Sequence, residues 1–334
     1  MKNELYPWLL KYYKKIVKML KKRQHHSILI NSDNNLGINK LILNIKKWIF
    51  CENIKKEYFC NQCTKCNLIE KNIFFDIYDL KLSKIIKVNN LREIIKKILL
   101  TPKYSKKKIV YIKNSELLTK LESNTLLKII EEPPKNTIFF LQTNKIKNII
   151  STLKSRLYII NIFNIKKNKN IKWLLKNTNF NYKKCNQAIE ISNNVPLFAK
   201  KMLLGNLWKI RKYFYKNLFE KIKKKQIIDI LYVIKKKLIV FFLNLIYTIL
   251  LDSIKYKKKM FNFIINIDQK KLIILISKKF KKKIIYKSIM SWMQFEKNVL
   301  NINRINYELI LLEQILKWEK ILKNNINNIL LPEV

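Results

Sequence analysis

Four of the chain's five cysteines fall in one short window, Cys51, Cys60, Cys63 and Cys66, in the pattern C-x8-C-x2-C-x2-C. The two close spacings let successive thiolates converge on one ion. Zn2+ accepts four thiolates tetrahedrally, and a site closed in that way has no open position for substrate or water, so its expected role is structural. A redox CxxC pair would have no use for the other two cysteines, and four unrelated buried thiols would not cluster like this. Cys185 stands alone and reads as a small buried residue. His25 and His26 lie far from the window in sequence and are not assigned as ligands.

A second segment, Ser27 to Lys40, reads strand, loop, helix, which is the setting of the phosphate-binding loop G-x-x-x-x-G-K-[ST]. Only the second glycine, Gly37, is in place. Ser32 stands at the first glycine's position, Ile38 at the lysine's and Asn39 at that of the Ser/Thr. Without the lysine no cation reaches the β- and γ-phosphates, and without the hydroxyl Mg2+ loses a direct ligand. Lys40 comes two positions late and is expected to point elsewhere. After the strand Ile109–Ile112 an active motor carries an Asp-Glu pair. Here Asn114 and Ser115 follow, with Glu116 one residue late. Two lesions at this interval indicate a degenerate ATPase domain, and no ATP hydrolysis is expected at its own site.

The elements that must position these residues alternate short apolar runs with helical patterns, the signature of a parallel α/β sheet. Expected strands are Ser27–Asn31, Phe74–Leu80, Lys108–Lys113, Thr137–Thr143 and Tyr158–Phe163. Lys40–Phe50 and Val88–Leu100 read as helices between them. The clearest helix opens with a possible capping box, Thr119-x-x-Glu122. It carries an apolar stripe of Leu126, Leu127 and Ile130 and ends before Pro133 and Pro134. From about Ile165 strands disappear. Ile171–Leu175, Cys185–Ser192 and Pro196–Leu204 read as a small helical domain with Gly205 as a helix stop, and the remainder is a long, lysine-edged helical pattern. The expected division is residues 1–165 (α/β, with the cysteine module at 51–66), 166–206 (small helical domain) and 207–334 (larger helical domain).

Lys+Arg number 70 against 22 Asp+Glu, a formal net charge of +48. Such an excess attracts nucleic acid or an anionic membrane. It is nearly all lysine, however, beside abundant Ile and Asn and only two glycines, a pattern that A- and T-rich codons produce without selection for binding. Basicity therefore neither requires nor excludes DNA binding. The bias makes scarce residues informative. Arginine occurs only at Arg23, Arg92, Arg156, Arg211 and Arg304, and lysine cannot replace it where a planar, forked guanidinium is needed. The start, MKNELYPWLLKYYKK, has no apolar core with a cleavage site, and the most apolar run, Leu238 to Leu251, is shorter than a bilayer span and reads as a buried helix. The expected location is the cytoplasm, without membrane attachment.

Several local signatures stand in one order: Tyr6-Pro7-Trp8-Leu9, His25-His26 before the first strand, the cysteine window after the first helix, Leu126-Leu127-Lys128-Ile129-Ile130-Glu131-Glu132-Pro133-Pro134, Ser155-Arg156, and Arg304-Ile305-Asn306-Tyr307-Glu308-Leu309. Together they resemble the delta-prime subunits of the bacterial DNA polymerase III clamp loader, over essentially the whole chain and most strongly over the first 160 or so residues. The resemblance implies an AAA+ RecA-like domain with an inserted zinc module, a helical lid and a C-terminal helical collar. It implies a stator subunit that joins delta and gamma/tau motor subunits in a complex loading the sliding clamp on primed DNA. It further implies that Arg156, with Ser155, is an arginine finger offered in trans to ATP on a neighbouring gamma/tau subunit. The cysteine that usually follows this motif is Leu157 here, and the lid segment Ser192–Leu197 carries no arginine. Two rival readings remain. An active gamma/tau-like ATPase would need lysine at position 38 and an acidic residue at 114. A zinc-containing nucleic-acid-binding protein would interleave basic and aromatic residues along one groove.

Overall fold

The computed structural model describes residues 5–33, 35–82, 95–163, 166–224, 226–234, 238–301 and 307–323. The chain forms two compact units, Met1–Lys166 and Lys167–Val334.

The first unit is built on five parallel strands: β1 (Ser27–Ser32), β2 (Ile77–Lys81), β3 (Lys108–Lys113), β4 (Thr137–Thr143) and β5 (Tyr158–Ile162), in the order β2-β3-β4-β1-β5. Every residue of β1 is buried, as expected for a parallel strand covered on both faces. Its register sets Asn31 against Thr143 on one side and Asn161 on the other, and the Asn31 amide donates to Asn161 Oδ1 at 2.7 Å. Helices α1 (Leu10–Lys21), α2 (Ile38–Phe50), α3 (Thr64–Glu70), α4 (Lys120–Glu131) and α5 (Ser151–Arg156) join these strands.

The capping box at α4 forms. Thr119 Oγ1 accepts from the Glu122 N–H at 3.2 Å, while Glu122 Oε2 accepts from the Thr119 N–H at 2.8 Å. This satisfies two donors otherwise left open at a helix start, worth about 1 kcal/mol. The buried face of α4 runs through Leu126, Ile129 and Ile130, with Leu127 only partly buried, so the expected stripe is displaced by about one position. Strand β2 begins at Ile77, later than the expected Phe74: Asp76, fully buried just before it, accepts from the N–H groups of Lys103 and Tyr104 and so ties a loop there instead. Residues 95–99 are helical, whereas the earlier part of the expected helix Val88–Leu100, and Arg92 with it, lies outside the described residues.

In the second unit, α6 (Lys167–Asn177), α7 (Tyr182–Ile191) and α8 (Pro196–Leu204) match the expected small helical group. Gly205 does end α8, but with extended backbone and not a left-handed turn. A Cβ there would lie 2.8 Å from the Lys201 carbonyl oxygen, so close approach selects the glycine. The helices α9 (Leu207–Lys224), α10 (Ile239–Lys257), α11 (Lys270–Lys279), α12 (Lys282–Asn301) and α13 (Tyr307–Lys323) follow. The segment Arg304–Asn306 lies outside the described residues, while Tyr307–Leu309 opens α13. The apolar run expected as a core helix is α10. By length and composition it would suffice to cross a membrane, but it buries Phe241, Phe242, Leu245, Ile246 and Ile249 in the helical core.

One of the scarce arginines anchors this unit. Arg211 is fully buried, and its two terminal nitrogens each reach a carboxylate oxygen of Asp268 at 2.7 Å. It also donates to Asn266 Oδ1 at 2.8 Å, and its guanidinium lies over the Trp208 ring at 4.9 Å. Burial raises the Asp268 carboxyl, but the hydrogen bonds and charge of Arg211 overcome this and hold it at about 2. Because the folded-state value is depressed from the ordinary 3.8, the pair's contribution is complete above pH ~4 and fades as pH falls toward ~2. Arg211→Ala removes a fully buried side chain and leaves Asp268, 30% exposed at its side chain, without its partner, and is expected to destabilise the helical unit by about 2–4 kcal/mol. Denaturant unfolding at pH 7 measures this, and the gap between wild type and variant should narrow below pH ~4.

Candidate functional site

Cys51 caps the C-terminal end of α2, Cys63 caps the N-terminal end of α3, and Cys66 lies in its first turn, so two helix ends and the intervening loop bring the thiols together. The four Sγ atoms lie within 4.8 Å of one another. A tetrahedral ion with metal–sulfur bonds of about 2.3 Å requires sulfurs roughly 3.8 Å apart, so the donor set fits one such ion. The loop is wound to supply N–H groups to sulfur: Cys60 donates to Cys51 Sγ at 3.3 Å, Cys63 to Cys60 Sγ at 3.3 Å and Cys66 to Cys63 Sγ at 3.4 Å. Such donors stabilise negative charge on thiolates. At Cys60, burial raises the thiol, but N–H groups of Gln62 and Cys63 outweigh it and bring the value down to about 6. At Cys51 and Cys66 burial dominates and pushes the thiols up. The cost of ionising those two is one that a bound cation would offset.

Left-handed backbone at Lys56 and Asn61 lets the loop fold back, and side chains of α1 and α2 hold it. Tyr13 OH donates to the Glu57 carbonyl at 2.7 Å, and Lys47 donates to Asn61 Oδ1 at 3.0 Å and pairs with Glu70. Cys185 is buried in the other unit, apart from the cluster in both fold and chain, in line with its reading as a core residue.

The segment after β1 makes contacts with the N-terminal residues. Gly37 has φ 84°, the left-handed conformation that suits glycine, and starts α2. Ile38, at the lysine position, is 3% exposed and packed inward. The Trp8 indole N–H donates to the Leu36 carbonyl at 3.0 Å, and Trp8 stacks on Tyr6 with ring centroids 5.0 Å apart. Lys40 lies over the Tyr6 ring at 5.5 Å. Asn39 accepts from Tyr111 OH at 3.3 Å, and Tyr111 also donates to Gln142 on β4. Ser32 is buried with no partner for its Oγ among the described residues. Asn34 lies outside them. Beyond β3, Asn114 takes a left-handed turn and donates to the Leu82 carbonyl at 2.9 Å, while Ser115 donates to the Ile112 carbonyl at 3.1 Å. Both side chains at the metal-holding position are thus engaged with backbone.

Arg156 is the last residue of α5 and is 41% exposed at its side chain. Its Nε pairs with Glu131 of the Glu-Glu-Pro-Pro motif, and Nη1 donates to the Thr152 carbonyl at 3.1 Å and to Ser155 Oγ at 3.3 Å. Nothing in the local sequence marks Glu131 as a partner of Arg156. The signal for its pairing was the placement of two helix C-termini side by side, which needs the fold to be known. The bond from Trp8 to Leu36 was likewise visible only as part of Tyr6-Pro7-Trp8-Leu9, with no spacing rule to say what it touches.

The family described as DNA polymerase III, delta subunit, matches residues 9–166, and its C-terminal counterpart matches residues 205–320. A DNA polymerase III subunit delta' from Buchnera aphidicola subsp. Schizaphis graminum is 35% identical over 320 residues, covering 95% of this chain and 98% of that one. The chain belongs to the delta-prime family of DNA polymerase III subunits. It is an accessory, clamp-loader-type subunit with an AAA+ α/β domain and a helical C-terminal domain. The delta' subunit of Yersinia pestis is 26% identical, covering 94% of this chain and 95% of its own. A solved DNA polymerase III gamma subunit-related protein from Thermotoga maritima aligns with a TM-score of 0.49 at 17% identity, over 93% of this chain and 99% of that one.

The cysteine geometry makes a direct expectation. Purified chain should carry close to one zinc per molecule by elemental analysis. Cys66→Ser should lower that content severalfold and reduce the thermal midpoint by several degrees, because metal affinity here is folding free energy.

Proposed function

We propose that this chain is a motor-dead stator of the clamp loader, holding ring geometry and acting on ATP only through a neighbour. The observation that carries this reading is the contrast between its two phosphate-directed positions. The loop that would cradle its own nucleotide holds buried Ile38 and a carbonyl occupied by Trp8, whereas Arg156 stands at a helix end with its guanidinium partly open to solvent. With no cation at position 38 and no carboxylate at 114, the chain lacks the groups that neutralise the β- and γ-phosphates and hold Mg2+.

In this reading Arg156 exchanges Glu131 for the γ-phosphoryl group of ATP bound to an adjacent gamma/tau subunit. A guanidinium placed there stabilises the charge that develops as the phosphoryl group leaves, an effect on the order of 10³-fold or more at one site. Ser155, which accepts from Arg156 Nη1 at 3.3 Å, helps to hold the fork's direction. The four-cysteine module binds Zn2+ structurally and locks α2 to α3. The partners are gamma/tau and delta, with the sliding clamp and primed DNA engaged by the assembled complex. Residues 1–165, 166–206 and 207–334 serve as AAA+ domain, lid and collar.

The deciding experiment is clamp- and primed-DNA-stimulated ATP hydrolysis by the reconstituted complex, with gel filtration to confirm assembly. Arg156→Ala should assemble normally and hydrolyse about tenfold or more slowly, while Glu131→Gln should stay within about threefold of wild type because it removes only the resting partner. Equal rates for wild type and Arg156→Ala would reduce the subunit to scaffolding.

A further inference from the structure

Lysine is spread over the whole chain, so a basic patch alone means little here. One groove in the helical unit is different, because its cations are interleaved with exposed rings. It is an open cavity of about 990 Å³ between the first turns of α7, the start of α9 and the segment 262–268. Its floor is Trp208, covered on one side by the Arg211 guanidinium and approached by Lys184 Nζ at 5.5 Å. Its rim carries Tyr182 and Phe263, 58% and 65% exposed, two rings with little to cover them.

The charges of this groove are not balanced internally. Its two acids are already committed, Glu190 to Lys167 and Asp268 to Arg211. Lys255 is paired with Asp252. Lys183, Lys184 and Lys212 also line the groove, and none has an acidic partner among the described residues. Asn186, another lining residue, has a shielded Oδ1 with no donor among the described residues. The site thus offers three uncompensated cations and two solvent-facing aromatic faces within one concave surface.

We infer that this groove binds a short stretch of single-stranded nucleic acid, with Lys183, Lys184 and Lys212 tracking phosphates and Tyr182 and Phe263 stacking bases. Phosphates need cations at intervals, and unpaired bases need aromatic platforms. Every base presents a π-face, so the binding is tolerant of sequence. An acidic polypeptide would use the lysines but would leave the two rings exposed. Duplex DNA presents no unstacked bases to them. This inference is independent of the role given to Arg156.

The test uses the full-length chain and a fluorescent oligo(dT) probe in anisotropy titrations over a range of salt. A triple variant, Lys183→Ala, Lys184→Ala and Lys212→Ala, is compared with a charge-matched control, Lys71→Ala, Lys106→Ala and Lys147→Ala, at exposed positions of the other unit. The groove variant should bind about tenfold or more weakly than the control, with the slope of log K against log salt smaller by about 2, since each phosphate contact on a single strand contributes roughly 0.7. Tyr182→Ala and Phe263→Ala should each weaken binding about fivefold or more with the salt slope unchanged, the signature of lost stacking. Equal losses in groove and control variants would overturn the inference, because binding would then follow total charge. Displacement of the probe by polyglutamate, with the aromatic substitutions silent, would overturn it in favour of an acidic polypeptide.

Discussion

The structure depends first on the requirement that β1 be satisfied from both sides. A parallel strand buried on two faces can meet its backbone hydrogen-bonding needs only through neighbouring strands. For β1 those neighbours are β4 and β5, the strands latest in sequence. The chain must therefore complete most of the first unit before the strand that precedes the phosphate loop is secure. That pairing brings the ends of β1, β3 and β4 to one rim, where Tyr111 links Asn39 and Gln142. It also sets β5 beside β1 and so fixes the helix that delivers Arg156. The placing of the loop after β1 and of the partly exposed Arg156 guanidinium both follow from one sheet.

The scarcity of arginine shows what that residue does that lysine does not. At Arg211 the fork engages both oxygens of Asp268 and a third acceptor while stacking on Trp208, an arrangement with no lysine equivalent. At Arg156 one guanidinium touches a carboxylate, a carbonyl and a hydroxyl at a helix end. Lysine replaces arginine readily on solvated surface. The positions that keep arginine in a lysine-rich chain therefore include those where planar geometry matters.

Much of this was legible in the sequence because the signals were local. β3 and β4 match their expected limits residue for residue, the capping box at Thr119 forms, and the cysteine spacing alone brought four sulfurs within reach of one ion. The errors came where a distant partner overrode a local pattern. Buried Asp76 delays β2 by tying the loop at Lys103 and Tyr104. Contacts between residues far apart in the chain, Trp8 to Leu36 and Glu131 to Arg156, carried no periodicity or spacing by which a single sequence could reveal them.

Where a phosphate-binding loop would carry its lysine, this chain buries an isoleucine. A lysine at position 38 would have to be held near a strand end with no phosphate to pair with, and burying an unpaired ammonium is costly. Isoleucine there removes that cost and adds apolar burial worth roughly 1.5–3 kcal/mol. Trp8 extends the gain by giving the Leu36 carbonyl a donor from the chain's own N-terminal segment. Restoring lysine alone would oppose both changes while still lacking the carboxylate at 114. Packing of Ile38 on one side of the rim and the Asn114 turn on the other both oppose such a single change.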